Sequence, residues 1–304
     1  MKKRGAFRRG EGFSGPPRRA ALLCALTALT MSAAPARALE GPAPDAAPRR
    51  VVSVNLCADQ LALMLAAPGQ LLSVSMLAQD PRSSVMAEAA QALRVNHGLA
   101  EEIFLMDPDL VLAGSFTSAA TVGMLERLGL RVERLAPAYA LEEIAGLIRQ
   151  TGGLLGREAE AEAMAARFEA DLAALRASAA ESTHPRAALY EANGYAPGEK
   201  SLAADLLRVS GFASVAAEFG LDHGGFVPLE LLVLAEPDMV VAGRPRDEGA
   251  ARGEEILVHP ALEALRGRSG VGVLPDRDWV CGLPATLRAA ERLGAARRDL
   301  EAKK

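Results

Sequence analysis

The sequence predicts an α/β fold of two similar lobes, each a mostly parallel sheet flanked by helices, joined by one long backbone helix. Three observations carry this. Residues 99–114 read LAEEIFLMDPDLVLAG and residues 228–243 read PLELLVLAEPDMVVAG, 129 residues later. Without gaps the two stretches match at Glu101/Glu230, Leu105/Leu234, Pro108/Pro237, Asp109/Asp238, Val111/Val240, Ala113/Ala242 and Gly114/Gly243. Short apolar strands alternate with helical periodicity around both copies, the pattern of a parallel sheet with helices on its faces. Between the copies, Arg157 opens 25 residues of helix formers without Gly or Pro. A chain of 304 residues, half of them hydrophobic and 24% charged, has a globular composition and room for two lobes.

The first 38 residues read as a cleaved export signal. Arg18 and Arg19 precede an apolar run from Ala20 to Met31, and Ala36-Arg37-Ala38 offers small residues at the two positions a signal peptidase reads. The run is too short for a permanent membrane span. Sec and twin-arginine export both stay open, and Cys24, preceded by two leucines, lacks the small neighbours of a lipidation site. Residues 39–49, rich in Pro and Ala, form a linker.

The N-terminal lobe, 50–156, begins at Arg50 with the β-branched run VVSVN. Helical periodicity follows from Cys57 until Pro68-Gly69 stops it. Next come a strand at 71–77, a polar loop, the first copy of the repeat, a helix near 121–128, a strand at 131–135 and a helix from Leu141 to about Leu155. Within the repeat, Pro108 disfavours helical geometry in the residue before it, so the amphipathic segment ends near Asp107. DLVLAG is then an apolar strand of the kind buried in a parallel sheet, and Gly114 opens the loop at its C-terminal end. In the backbone helix, 157–181, Ala161, Met164, Ala165, Phe168, Leu172 and Leu175 keep near-helical spacing opposite a Glu-rich face. The C-terminal lobe, 182–304, holds a strand at RAALYEAN, a loop at 194–198, and a helix capped by Ser201 and ended by Gly211. The second copy, a strand at 271–275, a loop with Trp279 and Cys281, and a helix from about Ala285 complete it.

Charge and motif narrow the function classes. Eight of the 34 Lys/Arg and one of the 38 Asp/Glu lie in the first 38 residues, so residues 39–304 carry 26 bases and 37 acids, a net charge of −11. No basic patch for nucleic acid is expected, and a partner presenting Lys or Arg suits this surface. The histidines, His97, His184, His223 and His259, show no i, i+4 pairing and no Cys-x-x-Cys companion, so neither a metal site nor a cofactor is expected. There is no G-x-S-x-G elbow, and TGGLLGRE (151–158) lacks the Lys-Ser/Thr of a phosphate loop, so no enzyme is expected. Cys57 and Cys281 remain after signal removal. Their spacing decides nothing; two small buried or cleft-lining thiols are the favoured expectation and a disulfide the alternative.

Four stretches, RRVVSVNLCADQL, GLAEEIFLMDPDLVLAG, YEANGYAPGEKSLAADLLRVSG and VPLELLVLAEPDMVV, in this order over roughly residues 50 to 300, carry a resemblance. The chain resembles the substrate-binding proteins of ABC importers, in the group that takes up iron chelates and cobalamin and has a helical backbone between its lobes. The resemblance implies a periplasmic, monomeric receptor that captures an intact chelate, a ferric siderophore, haem or cobalamin, and delivers it to a permease with its ATPase. It implies, too, that one glutamate from each lobe docks into arginine pockets of the permease; the matching positions are Glu101 and Glu230.

Ligands of open α/β sheets bind beyond the C-terminal ends of the strands. That selects Asn55, Cys57, Asp59, Arg82, His97 and Phe116 in the first lobe and Tyr195, Arg244 and Trp279 in the second. Phe116, Tyr195 and Trp279 offer planar faces to a macrocycle or a catecholate, and Arg82 and Arg244 offer guanidinium groups to its carboxylates. The helical strut predicts small lobe movements on binding. Two other readings compete: a sensor or binding module of the same fold without transport, and a secreted enzyme.

Overall fold

The N-terminal lobe is built from β1 (Val51–Ser53), α1 (Leu56–Leu65), β2 (Leu71–Ser75), α2 (Ala87–Ala90), β3 (Arg94–Asn96), α3 (Ala100–Phe104), β4 (Leu110–Gly114), α4 (Ala119–Arg127), β5 (Val132–Leu135) and α5 (Leu141–Leu155). Its strands form one parallel sheet in the order β3-β2-β1-β4-β5. The backbone helix α6 (Glu158–Ala179) leads to β6 (Arg186–Tyr190), β7 (Tyr195–Pro197), α7 (Leu202–Val209), β8 (Ala213–Ser214), β9 (Gly224–Phe226), α8 (Leu229–Ala235), β10 (Met239–Ala242), α9 (Pro260–Arg268), β11 (Gly270–Val273) and α10 (Thr286–Glu301). The second sheet, β11-β10-β6-β8, is again parallel, and β7 and β9 form a separate antiparallel pair. This architecture comes from a computed structural model that describes residues 47–180, 182–242 and 252–303. The export signal, most of the linker and Arg244 lie outside the described residues.

The expected polar loop before the first repeat contains α2 and β3, and the expected loop at 194–198 contains β7. Both strands have three residues. Arg94 of β3 is exposed at a sheet edge and β7 ends in Pro197, so neither presents the apolar run by which a buried strand is recognised.

The repeat is longer in space than in its text. Asp109 accepts hydrogen bonds from the backbone N–H of Arg49 and Arg50 at 2.7 and 3.0 Å, and Asp238 accepts one from the N–H of Arg186 at 2.8 Å. In return, the Arg50 guanidinium donates to the carbonyls of Met106 and Asp107, and that of Arg186 to the carbonyls of Ala235 and Glu236. Asp107 and Glu236 occupy the same repeat position and are both left-handed, with φ of 48° and 44°. Such a conformation costs a non-glycine residue of order 1 kcal/mol or more. The arginines offset it by satisfying carbonyls that the ends of α3 and α8 leave without intrahelical partners. Val51 pairs with Leu110 and Ala187 with Met239 in matching register. Each lobe therefore clamps the end of its repeat helix to its first strand.

The lobes share one hydrophobic core, to which Val51, Leu110, Ile148, Phe168, Leu206 and Leu287 all belong. The backbone helix buries Ala161, Ala165, Phe168 and Leu172, four of the six positions its periodicity singles out, and half-buries Met164 and Leu175. Gly152 lets α5 and α6 touch, since a Cβ there would lie 2.1 Å from that of Ala161. On the outside, Arg149 forks between Glu162 and Glu169 at 2.7 and 2.6 Å. Two further contacts join the lobes: the Leu141 N–H donates to Asp205 at 2.8 Å, and Arg277 donates to the Pro81 carbonyl at 2.8 Å.

A covalent tie completes the junction. Cys57 and Cys281 form a disulfide with their Cα atoms 5.2 Å apart, which overturns the favoured expectation of two separate thiols. The first turn of α1 and the loop before α10 abut within the span a disulfide bridges. A separation of 224 residues in sequence hides that adjacency.

Candidate functional site

Strand β1 leads to α1 and β2 on one side of the first sheet, while β4 leads to α4 and β5 on the other. The crevice beyond β1 and β4 is thus the topological switch point, where such sheets bind ligands. A small groove, open to solvent, lies there. Asn55, Cys57 and Gly114–Phe116 form one wall, and Val280 and Gly282 of the second lobe approach from the other side.

Asn55 is fixed by the fold. Its Oδ1 accepts hydrogen bonds from the N–H groups of Cys57 and Ala58 at 3.1 and 3.3 Å, capping α1. Gly114 ends β4 directly against it; a Cβ there would lie 2.5 Å from Asn55 Nδ2. With its acceptor engaged in the cap, the amide NH2 of Asn55 is the group left for a ligand.

Asp59 occupies a different environment from the one expected. It is fully buried, with Oδ2 accepting from the Ser75 N–H and hydroxyl at 3.1 and 2.5 Å, so it faces the sheet rather than the cleft. Beneath the cleft it joins a buried polar layer of Ser53, Gln60, Ser73 and Asn96, in which Asn96 donates to the Ser53 carbonyl and the Ser73 hydroxyl at 2.8 and 3.0 Å. Burial pushes the Asp59 carboxyl up to about 6, against the opposing pull of the Ser75 hydroxyl and N–H. Oδ1 of Asp59 and Oγ of Ser53 have no hydrogen-bond partner among the described residues.

A folded-state value above the ordinary 3.8 means the native protein favours the protonated acid. The resulting penalty on stability is absent below pH 4 and grows as pH rises through 6, to a ceiling of about 3 kcal/mol. Asp59→Asn, which keeps an acceptor for Ser75 and adds a donor toward Ser53, is therefore expected to stabilise the protein at pH 7.5 and to converge with wild type near pH 4. Urea unfolding at both pH values measures this; an equal difference at the two would refute it.

The remaining sequence candidates fall into distinct settings. Phe116 is 83% exposed and lines the cleft. Arg82 is exposed and pairs with Asp80 at 3.3 Å on the loop that Arg277 reaches from the second lobe. His97 is tied to its own lobe through its N–H, which donates to Glu102 at 2.9 Å. Tyr195 packs edge-to-face on Phe226 with ring centroids 6.0 Å apart. Trp279 is half-buried against the main core, and its indole N–H is buried without a partner among the described residues. Glu101 and Glu230 are exposed in the first turns of α3 and α8.

Sequence reasoning reached the loop of Trp279 to Cys281, whose Val280 lines the cleft, but missed Gly282 and the segment 136–138, which also line it, and the exposed Phe226. The segment 136–138 was findable, because β5 neighbours β4 and the loops after both strands share one edge. Among the described residues there is no group of three or more His, Cys, Asp or Glu that would hold a metal ion, and no helix long and apolar enough to cross a membrane.

The model of the family described as "Periplasmic binding protein" matches residues 51–267, which span both lobes and the backbone helix. The chain belongs to the periplasmic binding protein family. This periplasmic binding protein is 26% identical over 211 residues to a cobalamin-binding protein of Halobacterium salinarum, covering 67% of its own chain and 56% of that relative. It thus spans little more than half the length of the curated relatives it matches.

Among solved structures it is similar to the periplasmic heme-binding protein RhuT from Roseiflexus sp. RS-1 in apo form, with TM-score 0.69, 23% identity, and 83% of this chain and 98% of that one covered. It is also similar to the periplasmic vitamin B12-binding protein BtuF of Vibrio cholerae, with TM-score 0.65, 18% identity and coverage of 84% and 98%. At these identities the likeness establishes a common two-lobed fold, and the ligand has to be argued from the cleft.

Proposed function

We propose that this periplasmic binding protein is the receptor of an ABC importer, carrying an intact metal chelate in the cleft between its lobes to a permease and its ATPase. The observation that carries the reading is the cleft itself. It lies at a topological switch point, with an exposed aromatic face at Phe116, an amide donor at Asn55 and apolar walls that include Val280 across the lobe junction. Such a surface suits a large, mostly apolar ligand with polar edges. The ligand class is a ferric siderophore, haem or cobalamin; haem, vitamin B12 and cobalamin are the ligands that its relatives are named for. We read residues 1–38 as the signal that exports it to the periplasm, and the working receptor as a monomer.

The test is a titration of the purified protein, residues 39–304, with cobalamin, haem and a ferric siderophore, followed by tryptophan emission. Trp279 is the sole tryptophan and adjoins the cleft-lining Val280, so one of the three is expected to give saturable quenching. Phe116→Ala is expected to weaken that binding roughly ten-fold or more, as loss of an aromatic anchor does. Absence of a saturable response to all three ligands would remove the chelate reading.

A further inference from the structure

The disulfide that ties the lobes together is exposed unequally. Cys57 is half-buried in the first turn of α1 and lines the groove with Asn55 and Phe116. Cys281 is 2% exposed and belongs to the main core. Its two neighbours in the chain, Val280 and Gly282, nevertheless line the same groove from the second lobe. Access decides which sulfur of a disulfide a thiolate attacks, and exposed bonds are the labile ones. Here the groove gives access to Cys57, and core packing closes off Cys281. A bond that served only to staple the lobes has no need of an opening on the ligand side.

We infer that the Cys57–Cys281 bond is a thiol-exchange site in the wall of the groove: a dithiol reductant reaches Cys57 Sγ while the groove is empty, and a bound ligand covers it. The covering role rests on the receptor reading, since it needs a ligand in the groove; the exchange site does not. One thiolate of the reductant bonds to Cys57 Sγ as the bond to Cys281 breaks, and Cys281 leaves with the electron pair and takes up a proton. The second thiol of the reductant then attacks its own sulfur in the mixed disulfide, so that Cys57 leaves as a thiol and the reductant departs as a cyclic disulfide. Two electrons pass from the dithiol to the protein. Reduction unties the loop of Val280 and Gly282 from α1. Linkage makes the effect reciprocal, because a ligand that protects the oxidised form binds that form more tightly by the same factor. A dithiol therefore lowers capture by the empty receptor and spares the loaded one.

The test exposes the purified protein, residues 39–304, to glutathione or dithiothreitol under native conditions, then quenches with acid, alkylates and locates the products by peptide mass spectrometry. Glutathione is expected on Cys57 and not on Cys281, at a rate that rises in proportion to thiol concentration. Cyanocobalamin, haem and a ferric siderophore are each added at saturation. The one that quenches Trp279 emission is expected to slow reduction by dithiothreitol roughly ten-fold, and to bind the reduced protein roughly ten-fold more weakly. Glutathione on Cys281, or a bond that resists both thiols until unfolding limits the rate, would overturn the exchange site. Reduction at an unchanged rate with a ligand shown to be bound would overturn the covering role and leave the receptor reading intact. Quenching by none of the three would remove the covering role together with the receptor reading, and the position of glutathione alone then decides the exchange site.

Discussion

Reversing both docking charges, Glu101→Arg with Glu230→Arg, is expected to abolish import while leaving capture of the ligand in the cleft unchanged. The two carboxylates are the acids that the repeat places at matched positions at its helix starts, and both project from first turns whose other ends are clamped to the sheet. If Glu101 and Glu230 dock on cationic sites of a permease, as the resemblance implies, a guanidinium at each position meets like charge at two points. Like-charge juxtaposition at a contact costs several kcal/mol, and two such contacts on one rigid body add. Single reversals should retain partial import, because the remaining lobe still docks. Stability should change little, as neither carboxylate has an ion pair with a described residue to lose. The measurement is uptake of labelled ligand by cells carrying the double variant in place of wild type, with ligand affinity of the purified variant alongside. Normal uptake would show that Glu101 and Glu230 are ordinary solvated acids.

Much of this fold was legible because its signals are local and repeated. The limits of α5 follow from regular apolar spacing between Leu141 and Leu155, with the left-handed Gly156 as its stop. The limits of α6 follow from a stretch in which nothing breaks a helix, and those of α7 from Ser201 and Gly211. The parts that escaped are set by tertiary neighbours. Arg50 and Arg186 read as ordinary charges before a strand, and only the folded repeat shows their guanidinium groups on the carbonyls of α3 and α8. Asn55 was findable, since an Asn between a strand and a helix is a cap at the C-terminal edge of the sheet. Asp59 misled for the same reason. One turn further along α1 a polar residue looked solvent-facing, yet the serines of β1 and β2 make a polar face inside the lobe that receives it.

Replacing the disulfide, Cys57→Ala with Cys281→Ala, should cause the largest loss of stability of any change considered. The bond closes a loop of 224 residues, so its removal frees most of the unfolded chain. The chain-entropy treatment gives about 5 kcal/mol for a loop of that length, and typical disulfides contribute about 2 to 4 kcal/mol. For a protein of this size each kcal/mol corresponds to roughly 2 to 4 °C, so a fall of about 10 °C in melting temperature is expected. The double substitution is the right comparison, because a single one leaves a free thiol, and alanine suits the buried Cys281 site. The functional consequence follows from position. Cys281 lies between Val280 and Gly282, both in the cleft wall, while Cys57 sits in the first turn of the helix that Asn55 caps. Without the bond, Gly282 still packs within reach of Ala138 and Ile144 and Arg277 still reaches Pro81, so the lobes should stay associated. The loop itself would be held less firmly, and ligand affinity should fall together with the melting temperature. A fall in melting temperature at constant affinity would make the bond a stabilising staple with no part in shaping the cleft, and an unchanged melting temperature would show that it contributes to neither.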